Sequence, residues 1–299
     1  MRLLIVLSSL VSMVGLIATP LQAQAPLGVP DDEGMPLRKQ EWRIPSPDTG
    51  MTAHALLFRP MGPGPFRLAV IAHASTQNVL RRAQMPQPEY RALVALLAAR
   101  GFAVLVPERF GHGATGGPYL EDQGGCDEAD YLGAGRATAT QILGALDEIR
   151  RQDFIRRDGT IVVGHSAGGW GALALANADP QTISRIIVFA PGRGGHANDE
   201  PNRICAPQSL RTAATAFGNA AGIPVTWIVA ANDSYFRPDF SKALADAFRR
   251  SGGQVDFHIL PAVGSEGHWA IETEAGVRAA AGILRDVLNA AAPLARKKQ

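Results

Sequence analysis

Ile161-Val162-Val163-Gly164-His165-Ser166-Ala167-Gly168-Gly169 is the stretch from which the rest of the chain is read. Three consecutive apolar residues give a strand with no polar face, as a strand covered on both sides requires. A G-x-S-x-G turn follows, and then a run of small residues with helical spacing up to about residue 177. A strand that turns so sharply into a helix brings its own backbone into contact. A side chain at 164 or 168 would collide with it, which accounts for both glycines, and Gly169 leaves room for the helix to lie close to the strand. The turn lifts the Ser166 hydroxyl above the end of the sheet, where the helix N-terminus favours negative charge. The bare motif is common by chance. Between a buried strand and a helix it marks Ser166 as a candidate nucleophile.

Outward from this turn, short apolar runs alternate with longer helical patterns. Strand-like runs cover residues 54–59, 66–73, 102–107, 160–163, 185–189, 224–230 and 255–260. Helical patterns cover 89–100, 131–151, 167–177, 209–219, 241–250 and 272–291, with Ser241 and Asp239 as candidate caps. In 131–151 the apolar residues Ile142, Leu146 and Ile149 share one face. This alternation implies an α/β fold with a mostly parallel sheet covered on both faces. The connection 108–125 is Gly-rich and 191–207 is irregular, either a short cap or a surface loop. No composition break divides the chain after residue 40. We therefore expect one domain over 41–292, an extended lead-in over 24–40 and a solvated basic tail over 293–299 that carries Arg296, Lys297 and Lys298.

The first 23 residues read as a secretory signal. Arg2 precedes an apolar run interrupted by Pro20, and small residues around Ala23 suit cleavage after that position. No later segment is apolar for long enough to span a membrane, so the mature protein is expected to need no membrane. A net charge of +2 gives no reason to expect a nucleic-acid partner. The two cysteines, Cys126 and Cys205, suit an oxidising compartment and permit one bridge. Both follow the C-terminal ends of expected parallel strands, so a bridge would tie two sides of the same sheet edge. Neither has the spacing of a zinc site, and neither a metal nor an organic cofactor is implied.

The chain resembles the α/β-hydrolase superfamily, in particular its dienelactone-hydrolase-like and prolyl-oligopeptidase-like catalytic domains, over about residues 50–292. The resemblance rests on the turn around Ser166 and on four further segments: His73-Ala74-Ser75, Pro107-Glu108-Arg109-Phe110-Gly111-His112-Gly113, Ala231-Asn232-Asp233 and Gly267-His268-Trp269. Two departures matter. Ala74 stands where the family's His-Gly loop has glycine, and the nucleophile is Ser where dienelactone hydrolases use Cys. The oligopeptidases' N-terminal propeller has no counterpart in this sequence.

The resemblance implies the order nucleophile, acid, His along the chain. Of seven histidines, only His268 lies beyond the last expected strand. His54 and His258 fall within strands, His73 and His112 in loops, His165 inside the turn and His196 in the irregular stretch. His268 is therefore the expected base, which a Ser hydroxyl needs before it becomes nucleophilic. Asp233, directly after the run 225–230, is the expected acid, with Asp199 or Glu200 as the alternative one strand earlier. The oxyanion hole is expected from the backbone N–H of Ala167 and of Ser75, with Ala74 and Thr76 as neighbouring candidates. These roles imply hydrolysis of a small-molecule carboxylic ester through an acyl-enzyme. An amidase or peptidase with the same residues and an idle binding protein on the same fold are the alternatives. The sequence does not show the acyl group or the oligomeric state.

Overall fold

Among the described residues eight strands form one sheet: β1 (Gln40–Pro45), β2 (Thr52–Phe58), β3 (Arg67–Ala72), β4 (Phe102–Pro107), β5 (Thr160–His165), β6 (Ile183–Phe189), β7 (Val225–Ala230) and β8 (Val255–Leu260). They lie in the order β1-β2-β4-β3-β5-β6-β7-β8. β1 and β2 are antiparallel to their neighbours, and every pairing from β4 to β8 is parallel. This computed structural model describes residues 34–45, 50–179 and 181–290. The expected signal segment, most of the lead-in and the basic tail lie outside the described residues.

The continuous apolar strands have a simple cause. Leu68, Val70 and Ala72 of β3 enter one core, while Ala69 and Ile71 enter the other. In β5, Val162 faces the first core, and Ile161 and Val163 the second. The first core is closed by α3 (Tyr131–Ile149), α4 (Ala167–Ala174), α5 (Pro207–Gly218) and α6 (Pro238–Arg250). The second is closed by α2 (Arg91–Ala98) and α7 (Glu274–Ala290). Burying both faces removes the polar alternation that an open sheet would show.

After β3 the chain goes to β4 on one side, then crosses back to β5 on the other. The connection after β3 runs toward β4 and the one after β5 runs the other way, toward β6, which opens a crevice between β3 and β5 at the C-terminal strand ends, the place where ligands bind in open sheets of this kind. Ser166 leaves β5 on that edge, Asp233 leaves β7 and His268 follows β8.

Several expectations need correction. β1 lies at the boundary of the expected lead-in. Its alternation puts Trp42 and Ile44 into the first core and leaves Glu41 exposed, a half-buried pattern set among Pro and charged residues. A short helix, α1 (Val79–Ala83), capped by the Asn78 side chain, follows β3. α6 begins at Pro238, so neither Ser241 nor Asp239 caps it. Ser241 is buried in the first turn, donating to Phe236 O at 2.9 Å, and Asp239 pairs with Arg237 at 3.0 Å. His268 sits in a 3-10 turn, Gly267–Glu272, between β8 and α7.

Cys126 and Cys205 are bonded, with Cα atoms 4.7 Å apart across 79 residues of sequence. The bridge ties the connection after β4 to the stretch after β6. Closing so long a loop restricts the unfolded chain by on the order of 4 kcal/mol in the chain-entropy account. Among the described residues no helix is long and apolar enough to cross a membrane. Thiol titration of denatured, unreduced protein is expected to find no free thiol; two per chain would rule the bridge out.

Candidate active site

Ser166 has φ 52° and ψ −117°, a conformation that costs a non-glycine residue on the order of 1–3 kcal/mol. The surroundings hold it there. Its N–H donates to Phe189 O at 3.0 Å, and its carbonyl accepts from Trp170 N at 2.8 Å and Gly192 N at 3.2 Å. The flanking glycines are required by contact. A Cβ at Gly164 would lie 2.5 Å from Gly169 Cα, and one at Gly168 would lie 2.2 Å from Ala72 O. α4, which starts at Ala167, is buried on every side as far as Leu173, which explains its small residues.

His268 Nε2 lies 2.9 Å from Ser166 Oγ, and His268 Nδ1 lies 3.2 Å from Asp233 Oδ2. Asp233 Oδ1 accepts from the backbone N–H of Tyr235 and of Phe236, each at 2.8 Å. With its carboxylate fixed this way, Asp233 accepts a hydrogen bond from Nδ1–H, leaving Nε2 free to accept from the Ser166 hydroxyl. All three side chains are buried or nearly so. Burial is the largest influence on His268 and lowers its pKa below 6.5, against the opposing pull of Asp233.

Asp199 and Glu200, the alternative acids, and Asp256 within β8 are engaged elsewhere. Asp199 pairs with Arg81, Glu200 with Arg203 and Asp256 with His258. Among the described residues the N–H groups of Ala167 and Ser75 are not given to a protein acceptor. Ala167 is the first residue of α4, whose leading N–H groups have no partner within the helix. The Ser75 hydroxyl is 2.7 Å from His112 Nε2 and 3.2 Å from the Tyr119 hydroxyl. His112 Nδ1 faces the carbonyls of Arg109 and Phe110 at 3.1 Å, so Nε2 is the acceptor. Burial and the nearby Arg109 push His112 down to about 4, which keeps it neutral. The Ser75 side chain is thus tied back, and only its backbone is free to point at a substrate.

Three features lie outside what the sequence reading found. Arg109 and Arg193 both bind the fully buried Glu121, Arg109 at 2.6 Å. Burial alone would raise the Glu121 carboxyl, but the two guanidinium groups outweigh it and hold it well below the usual range. Arg109 Nη1 also donates to His73 O at 2.8 Å, bracing the loop that carries Ser75. Glu266 accepts from His268 N at 2.9 Å and Ser234 N at 3.1 Å, joining the segments that bear the base and the acid. Asn232 does the same through Val263 N at 2.9 Å. Apart from the bond from His268 N to Glu266, two residues apart, none of these has a local sequence signal, because each partner lies more than ten residues away.

Ser166, Ala167 and His268 open into a cavity of about 510 Å³ that also touches Ser75, Arg193 and Tyr235. The irregular stretch 191–207 forms one wall of it and is held by the bridge at Cys205. Its size suits a small organic molecule.

Residues 69–263 match the Alpha/beta hydrolase family. Among solved structures, a putative dienelactone hydrolase from Klebsiella pneumoniae is 16% identical with a TM-score of 0.54, covering 86% of this chain and 98% of that one. Est1E from Butyrivibrio proteoclasticus, solved with ferulic acid bound, is 18% identical with a TM-score of 0.55, covering 82% and 99%. An acylaminoacyl peptidase from Pyrococcus horikoshii is 13% identical with a TM-score of 0.59, but the match spans 87% of this chain and only 42% of the peptidase. At these identities the likeness is one of fold. No curated protein sequence matches the chain.

Gly168→Ala is expected to lower unfolding stability by about 1–3 kcal/mol or to prevent folding, since backbone, not a flexible side chain, meets the added methyl. Gly282→Ala, in α7 with nothing within 4 Å of the added carbon, is expected to gain about 0.5–1 kcal/mol. Urea unfolding of the pair checks the contrast; equal midpoints would mean that the turn is not tight.

Proposed function

Because the chain belongs to the alpha/beta hydrolase family, we propose that it is an exported serine hydrolase that cleaves a small carboxylic ester through an acyl-enzyme. The observation that carries this reading is the 2.9 Å approach of His268 Nε2 to Ser166 Oγ at the strained turn. Asp233 holds the Nδ1 proton of His268. His268 Nε2 takes the Ser166 proton as Oγ attacks the ester carbonyl. The developing oxyanion is received by the N–H groups of Ala167 and Ser75. The protonated imidazole then gives its proton to the departing alkoxide, leaving an acyl-serine. Water, deprotonated by the same nitrogen, attacks the acyl-serine, and the acid leaves as Ser166 recovers its proton.

An ester is favoured over an amide because an alkoxide leaves more readily than an amine. Export is supported by the leader-like first 23 residues and by the bridge between Cys126 and Cys205, which suits an oxidising compartment. The reading needs no metal or organic cofactor.

Ser166→Ala is expected to fold normally and to lose roughly 10⁴- to 10⁶-fold in turnover of aryl esters. Retention of near-native activity would remove Ser166 from the mechanism. An ester and an anilide of the same acid, compared on the native enzyme, distinguish esterase from amidase; the ester is expected to turn over faster.

The pH profile tests the base. His268 works only when neutral, and its pKa lies below 6.5. Activity should therefore be full at neutral pH and fall on acidification, with the half-maximum of kcat/KM below pH 6.5. Asp233→Asn removes the group that opposes the lowering, so that limb should move further down while the rate drops by roughly 10⁴-fold. A rate independent of pH from about 4 to 8 would contradict His268 as the base.

A further inference from the structure

Three aromatic rings stand in a pile beside the Ser166 hydroxyl. Tyr235 stacks on His268, with centroids 4.2 Å apart and planes 20° from parallel. On the other face of Tyr235 lies His196, at 3.6 Å and 10°. The outer ring is anchored. His196 Nε2 lies 2.8 Å from Ser234 Oγ, and that hydroxyl bonds to Glu266 Oε2. Glu266 accepts the Ser234 hydroxyl proton, so Ser234 Oγ is left to accept from His196 Nε2–H. His196 belongs to the wall 191–207, and Tyr235 follows Asp233 after β7. The pile therefore joins the cavity wall to the proposed base through ring faces alone.

We propose that Tyr235 and His196 are positioning residues, which close the outer face of the His268 ring to water and hold its tilt toward Ser166. The anchoring supports this: a part-buried relay of serine and carboxylate holds the His196 ring in place against Tyr235. The role of His268 as base comes from the function proposed above; the shielding of its ring does not depend on it.

The groups that face His268 set the sign of the effect. Asp233 and Glu266 favour its charged form and His165 opposes it, while burial, the largest influence, favours the neutral form. Arg81 and Asp199 act on Tyr235 with opposite charges. Removing the Tyr235 ring admits water to one face of the imidazole and relieves the desolvation. It also removes a ring face that attracts a cation. Since desolvation dominates, the net change should favour the charged form.

The test is an NMR titration of the His268 ring in the full chain without substrate, with the signal assigned by its loss in His268→Ala. Tyr235→Ala is expected to raise the midpoint by about one pH unit, and Tyr235→Phe, which keeps the stack, to leave it in place. His196→Ala is expected to raise it by a smaller amount, and this variant carries the test if Tyr235→Ala fails to fold. An unchanged or lower midpoint in the alanine variants would overturn the proposal, as would Tyr235→Phe behaving like Tyr235→Ala. Ester turnover by His268→Ala is read separately. Near-native activity there would remove the catalytic reading and leave the titration to decide the shielding on its own.

Discussion

At Gly168 the first turn of α4 lies against the carbonyls of Ala72 and His73, close enough that one added carbon has no space. That approach organises the rest of the site. It places the N-terminus of α4 over the crevice between β3 and β5, with the Ala167 N–H unspent. It forces Ser166 into its positive-φ conformation, which lifts the hydroxyl clear of the sheet. It also requires α4 to be sheathed in small residues, because the helix is buried between β5, β6 and α3. The strain stays in place because packed elements surround the turn on every side, as expected of strain at a functional site.

Around this turn the other parts are held by polar contacts between loops. Asn232 and Glu266 lace the connection after β7, which carries Asp233, to the one after β8, which carries His268. On the opposite side, Arg109 links Glu121 to the carbonyl of His73 and steadies the loop that presents Ser75. Two buried guanidinium groups share one carboxylate there, which leaves an excess positive charge beneath the site. Buried ion pairs contribute little net stability once desolvation is counted. Their contribution here is geometric, holding the loop that bears Ser75; in the proposed mechanism this presents a preorganised donor to the developing oxyanion.

The sequence and the structure agree where the signal is local. The strand, the two glycines and the small residues around Ser166 are contiguous, and each follows from sterics alone. Asp233 and His268, which the structure brings together with Ser166, stand where the chain order implied by the resemblance puts them, each after a strand. β1 was missed because its alternation of Trp42 and Ile44 is only six residues long and lies beside Pro and charged residues. Ser241 and Asp239 were misplaced as caps because Pro238 starts α6 earlier, and a proline in the first turn needs no side-chain cap. Glu121, Arg193, Glu266 and the ring pile of His196, Tyr235 and His268 were not legible at all. Apart from the bond from His268 N to Glu266, two residues apart, their partners are 12 to 72 residues apart in sequence, and such pairs exist only once the sheet order is known. The Cys126–Cys205 pairing was accessible because there were only two cysteines to pair.

The central claim is that His268 activates the Ser166 hydroxyl at this turn. Labelling the purified protein with a fluorophosphonate and mapping the adduct by peptide mass spectrometry tests it most directly. The account predicts a single adduct on Ser166 in the native protein, with labelling slowed severely in His268→Ala while the fold is retained. An adduct on another serine, or labelling of Ser166 at an undiminished rate without His268, would contradict it.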